Sequence, residues 1–205
     1  MTIALAMAKI DMNYRDIFAG EERYMPRIIS GKARGLKLET MEGQETRPTA
    51  DRTKESFFNI ISGRIPGCLF ADIFSGSGSI GCEALSRGAG IVTFVESALE
   101  CVKIINKNVG KLKFENKHFI FGEDYKQGLK KMDKQDIIYL DPPFNKGIGA
   151  ECLEYIAKYD ILRFNGIIVL EHDFKENIPG SVGGLIKYDA RKYGKCALSF
   201  YKYEV

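Results

Sequence analysis

Residues 68–81 read CLFADIFSGSGSIG, an apolar run that ends on Asp72 and Ile73 and passes directly into a glycine loop. Gly76, Gly78 and Gly81 satisfy G-x-G-x-x-G between a strand and a helix, the setting in which such a loop cradles a nucleotide cofactor. From Cys68 onward short apolar runs alternate with helical stretches. IVTFV, HFIFG, DIIYL and GIIVLEH are separated by helices expected over Cys82–Arg87, Ala98–Val109, Tyr125–Met132 and Ile148–Tyr159. That alternation predicts a parallel sheet covered on both faces. Leu185–Tyr188 and Ala197–Tyr203 flank Arg191-Lys192-Tyr193-Gly194-Lys195 too closely for a helical crossover, so they should pair antiparallel. The expected fold is α/β: a Rossmann-like sheet of five parallel strands finished by a C-terminal antiparallel hairpin, with a small N-terminal appendage.

Upstream, Pro26–Ser30 and Gly35–Glu39 are short alternating runs about a turn and predict a hairpin. Arg27, Lys32, Arg34 and Lys37 lie between them with no acidic residue, a patch suited to phosphate or to blunting an edge strand. Arg47-Pro48-Thr49-Ala50-Asp51-Arg52 then opens a helix that Gly63 closes, with Thr49 as N-cap and Asp51 favoured in the first turn. Three units follow: a 1–24 extension, a 25–66 hairpin and helix, and an α/β domain over 67–205. Residues 1–24 match nothing downstream, and Gly20-Glu21-Glu22-Arg23 would be encoded largely by purines, as a ribosome-binding site before Met25 would be. The reading is a misassigned start, the alternative a short docking helix.

Two hundred and five residues, 45% hydrophobic, suffice for one well-cored domain with an appendage. A net charge of +3 is too small to attract nucleic acid except through local clusters. Five scattered cysteines without a CxxC pair exclude a zinc ribbon and indicate buried thiols in a reducing compartment. His118 and His172 match no metal spacing, so no metal is expected. Lys103, Lys107 and Lys111 form a solvated helix face. With neither signal peptide nor membrane-length apolar run, the expected location is the cytoplasm and the expected state a monomer.

Chemistry concentrates where DIIYL ends in Asp141-Pro142-Pro143-Phe144. Two prolines fix φ and remove the N–H groups that would occupy neighbouring carbonyls. A carboxylate, an exposed carbonyl and an aromatic face then stand together, as an exocyclic base amine requires. At the cofactor end, Asp72 would repel a pyrophosphate but suit a ligand ammonium. Glu96 suits ribose hydroxyls and Asp124 an adenine amine, although both acids could equally cap the helices that follow them. S-adenosylmethionine satisfies the three in turn and is favoured over a nicotinamide.

RIISGKARGLKL (27–38), RPTADRTKESFFNII (47–61), DIFSGSGSIGCEALSRGA (72–89), DPPF (141–144) and YGKCALSFY (193–201) together resemble the RsmD family of 16S rRNA guanine-N2 methyltransferases, over residues 26 to 204. The resemblance implies S-adenosylmethionine-dependent methylation of a guanine N2 amine in small-subunit ribosomal RNA, free or in an assembly particle. Adenine-N6 methylation and a non-catalytic assembly factor are the alternatives. It also implies a cofactor set of Asp72, Phe74, Ser75, Gly76, Gly78, Glu96, Ser97 and Asp124, and a catalytic set of Asp141, Pro142, Pro143 and Phe144. Arg27, Lys32, Arg34, Lys37, Arg47, Arg52, Arg191 and Tyr193 are the candidate RNA contacts.

Overall fold

The structure is a computed structural model that describes residues 25–41, 48–114 and 116–204. Residues 1–24 and Arg47 lie outside them, as do the side chains of Thr49 and Asp51. In chain order the elements are α1 (Pro48–Ile60), a 3-10 turn (Ser62–Arg64), β1 (Leu69–Ile73), α2 (Ser79–Ser86), β2 (Ile91–Val95) and α3 (Leu99–Leu112). They continue as β3 (His118–Phe121), α4 (Tyr125–Lys131), β4 (Gln135–Leu140), α5 (Ile148–Lys158), β5 (Leu162–Asp173), β6 (Ser181–Val182), β7 (Leu185–Tyr193) and β8 (Cys196–Tyr203).

The strands form one sheet in the order β3-β2-β1-β4-β5-β8-β7-β6. β1 to β5 run parallel, whereas β8 pairs antiparallel with β5 and with β7. The connections reverse direction between β1 and β4, so the segments that follow the two strands leave toward opposite faces of the sheet, the switch point at which open α/β sheets bind ligands.

Strand parity divides the interior. Phe70, Phe94, Tyr139, Val169 and Phe200 face α1, α2 and α3 and pack with Phe57, Phe58, Leu85 and Ile105. Ala71, Val95, Leu140, Leu170 and Tyr201 face the other way and pack with Leu129, Leu153 and Ile156 of α4 and α5. Because successive strand residues point to opposite faces, an acid two residues beyond a first-face residue also belongs to that face. Asp72 follows Phe70, Glu96 follows Phe94, Asp141 follows Tyr139, and Glu171 follows Val169. Four carboxylates therefore converge on one side of one sheet edge.

Four elements differ from the sequence expectation. The N-terminal hairpin is a turn closed by one bridge, Arg27 to Lys37, with Ile28 N–H donating to Leu36 O and Leu38 N–H to Pro26 O. Its strands stay short because its donors go elsewhere: Ile29 and Ser30 N–H donate to Glu83, not across the ribbon. α2 begins at Ser79, three residues early, since Gly78 at φ 75° turns the chain directly into it. β7 extends through Arg191, Lys192 and Tyr193 and leaves a turn of only Gly194 and Lys195; solvent on most of β7 hides its alternation from a hydrophobicity reading. β6 adds a two-residue edge strand too short to recognise from composition.

Candidate active site

The glycine loop is held open by its own backbone demands. Phe74 has φ 64° and Gly76 φ 53°; a left-handed phenylalanine is strained, as occurs where a loop is shaped for a ligand. Ser75 is buried and braces the two strands: its hydroxyl donates to Asp72 O at 2.6 Å and accepts from Val95 N–H at 3.1 Å. Gly76 has nothing within 4 Å of where a Cβ would project, so open space lies before the loop. Gly81 serves packing instead, because a Cβ there would lie 2.2 Å from the Phe94 ring.

Asp72 is buried, and one carboxyl oxygen accepts from Gly81 N–H at 2.9 Å. Burial, then the nearby Glu96 carboxylate, pushes it up to about 7 against the pull of that hydrogen bond. Such a group is poised for a cationic partner. Glu96 accepts from Gly76 N–H and Ala98 N–H, both at 2.8 Å, and so fixes the loop against the tip of β2. Ser97 beside it is exposed. Asp124 is exposed and caps α4 by accepting from Lys126 N–H at 2.9 Å; the capping alternative is thus realised at this acid. Phe74, after β1, and Tyr125, at the start of α4, meet at 5.1 Å between ring centres.

Asp141 leaves β4 with its N–H directed to Ile73 O at 3.3 Å, which ties this loop to the end of β1. Its side chain keeps solvent along one side. The protein crowding the other side, then the carboxylates of Glu171 and Asp72, raises its carboxyl well above the ordinary range. Pro142 is buried, Pro143 exposed, and the Phe144 ring is 37% exposed and available to a planar group. Glu171 accepts from the hydroxyl of buried Tyr139, whose ring meets that of Phe57 of α1 at 4.7 Å between centres in a tilted contact. This fourth acid escaped the sequence reading although its signal was present: GIIVLE and DIIYLD both end an apolar strand on a carboxylate.

Four further residues that no motif singled out dock the N-terminal segment. Glu83 is fully buried; its carboxylate accepts from Ile29 N–H at 2.7 Å, Ser30 N–H at 2.9 Å and Arg87 Nε at 2.7 Å. Ser86 Oγ donates to Ser30 O at 2.6 Å and accepts from Ala33 N–H at 3.0 Å, and a Cβ on Gly31 would fall 2.0 Å from Ser86 O. Asn108 bonds both the N–H and the carbonyl of Glu39. The buried Lys54 ammonium reaches Arg27 O and Ser79 Oγ, both at 3.1 Å, and joins α1, the N-terminal turn and the start of α2. A glutamate inside the apolar GCEALS segment was the available clue.

Thus seated, Arg27, Lys32, Arg34, Lys37 and Arg52 are all exposed. Arg27, Arg34 and Arg52 line one groove of about 400 Å³ with Glu55. Tyr193, by contrast, is half-buried with its hydroxyl 2.6 Å from Ser56 Oγ, and Arg191 pairs with Asp189 at 2.9 Å. Lys103 pairs with Glu100, while Lys107 and Lys111 pair with Glu39, consistent with a solvated face. His172 is held between Asp173 O and Ser199 Oγ, both at 2.8 Å.

A family model described as conserved hypothetical protein 95 matches residues 26–202. The chain is 34% identical over 180 residues to YlbH of Bacillus subtilis, covering 86% of this chain and 98% of that one. It is 35% identical over 149 residues to ribosomal RNA small subunit methyltransferase D of Haemophilus influenzae, covering 71% and 77%. Among solved structures, yhhF of Escherichia coli superposes with a TM-score of 0.77 at 28% identity over 88% of this chain and 99% of that one.

Proposed function

Since the chain belongs to the family of conserved hypothetical protein 95, the RsmD family of methyltransferases, we propose that it methylates the exocyclic N2 amine of a guanine in small-subunit ribosomal RNA, with S-adenosylmethionine as donor. The observation that carries the reading is the meeting of the Asp141–Phe144 turn with the open Gly76 loop at the β1/β4 switch point, tied by the bond from Asp141 N–H to Ile73 O. Relatives of the same family bear the name ribosomal RNA small subunit methyltransferase D.

The cofactor residues fit the donor. The buried, cation-ready Asp72 carboxyl suits its ammonium, the Glu96 carboxylate stands at the strand tip where a ribose would lie, and Phe74 with Tyr125 offers aromatic wall. When bound, S-adenosylmethionine supplies an electrophilic sulfonium methyl. The chain's part is to present a nucleophile. A guanine amine donates its two N–H groups to an Asp141 oxygen and to the Pro142 carbonyl, which draws its lone pair out of the ring. Phe144 stacks on the base and fixes its plane. Burial, then the Glu171 and Asp72 carboxylates, raises the Asp141 carboxyl, so its Oδ atom is a competent resting place for the proton the amine releases. Arg27, Arg34 and Arg52, with Lys32 and Lys37, hold the RNA backbone beside the site through phosphates.

Mass spectrometry of ribosomal nucleosides from a deletion strain tests the assignment. Loss of N2-methylguanosine from small-subunit RNA is expected. Loss of N6-methyladenosine instead would move the substrate to adenine.

A further inference from the structure

The turn after β5 is rigid and presents an aromatic ring that the protein leaves half uncovered. Asp173 Oδ1 accepts from Lys175 N–H at 2.8 Å, Phe174 N–H donates to Lys195 O at 2.9 Å, and Glu176 N–H to Asp173 O at 2.9 Å. Glu176 also accepts from Asn145 N–H at 3.0 Å, which joins this turn to the loop that follows Phe144. On it Phe174 is 49% exposed, with the Lys192 ammonium 3.6 Å above its ring centre. Lys175 and Lys195 are exposed around it, and the two carboxylates of the turn are already engaged by backbone N–H groups. Burying a phenylalanine face would be favourable, and fixing one open beside the acceptor loop among lysines is what a stacking platform for a nucleotide requires.

We propose that Phe174 and Lys192 form a second nucleotide site, in which a base flanking the methylated guanine stacks on the free face of the Phe174 ring and its phosphate meets the Lys192 ammonium. The site rests on the reading of the chain as an RNA methyltransferase. It extends the contact that sequence reasoning gave to Arg191 and Tyr193: Arg191 is exposed with its Nε paired to Asp189, and the Tyr193 hydroxyl lies 2.6 Å from Ser56 Oγ. A flipped guanine leaves a gap in the strand, and a ring held next to the acceptor loop keeps the neighbouring base from closing it.

The test measures the affinity of small-subunit particles, isolated from cells lacking the enzyme, for wild-type protein and for Phe174→Ala, Phe174→Leu and Phe174→Tyr. The alanine variant should bind roughly fivefold to a hundredfold more weakly, the loss that removing one aromatic stack produces. Tyrosine should stay within about twofold of wild type and leucine should not, since only a flat ring stacks. Lys192→Gln should lower the slope of log affinity against log salt by about 0.9, one phosphate contact. S-adenosylmethionine binding should not change in any variant. Equal affinity for alanine and wild type, full recovery with leucine, or parallel loss of S-adenosylmethionine binding would each overturn the site. Failure of the wild-type protein to methylate the particles would instead overturn the underlying activity, and the site with it.

Discussion

Replacing Glu83 with glutamine keeps the side chain's shape and removes its charge inside the protein. The carboxylate accepts three hydrogen bonds, two from the backbone of residues 29 and 30 and one from Arg87, with no exposed surface of its own. Glutamine preserves one accepting oxygen but turns an NH2 group toward a donor. Hydrogen bonds to a charged group are worth roughly 1.5–3 kcal/mol each, and breaking a buried pair costs about 3–5 kcal/mol. Arg87 retains its seat 4.7 Å over the Phe58 ring and some solvent, so the lower end applies and about 3 kcal/mol should be lost. For a chain of this length that lowers Tm by roughly 6–12 °C in differential scanning calorimetry. The local consequence is sharper. The turn carrying Arg27, Lys32, Arg34 and Lys37 should open more often, by roughly a hundredfold in equilibrium population, read as faster tryptic cleavage after Arg34. RNA affinity should fall with it, while S-adenosylmethionine binding stays within about twofold. A Tm drop under about 2 °C with unchanged cleavage would refute the idea that this carboxylate seats the N-terminal segment.

Asp72→Asn should shift the pH dependence of stability. A carboxyl pushed up to about 7 keeps its proton in the folded protein above the pH at which an unfolded chain loses it, so wild-type stability falls as pH rises between about 4 and 7. Asparagine still accepts from Gly81 and cannot ionise. The variant's Tm should therefore gain on wild type as pH rises from 5 to 8, while its S-adenosylmethionine affinity drops at least tenfold by calorimetric titration; a constant Tm difference across that range would contradict the assignment. Arg34→Glu should weaken RNA binding and flatten its salt dependence by a slope of about one or more, with cofactor affinity intact. Equal loss of both would place Arg34 in the fold or the cofactor pocket.

The sheet was legible because buried parallel strands leave continuous apolar runs, and CLFADI, IVTFV and DIIYL each end where chemistry begins. The DPPF turn and the glycine loop were legible for the same reason: prolines and glycines mark backbone that only they tolerate. Strand parity, visible once Phe70 and Tyr139 share a core, then explains why Asp72 and Asp141 meet. Glu83 left one clue, its place inside the apolar GCEALS segment, whereas Asn108 and Lys54 were opaque, since each contacts chain far away in sequence and nothing local distinguishes a clamp from a helix-surface polar group. Asp124 shows how one strand-end acid carries two readings: its Oδ1 caps α4, and its position after β3 suits an adenine. The C-terminal pair is antiparallel as expected, but β7 runs on through Arg191–Tyr193, because an exposed strand carries its charges on both sides and reads as a turn.

In the proposed reaction the Asp141–Phe144 turn presents a guanine amine to the methyl group of S-adenosylmethionine. Purified protein, S-adenosylmethionine and small-subunit particles from cells lacking the enzyme should yield N2-methylguanosine by nucleoside mass spectrometry, and Asp141→Ala protein that still binds S-adenosylmethionine should yield none. Methylation undiminished in that variant, or confined to adenine, would contradict it.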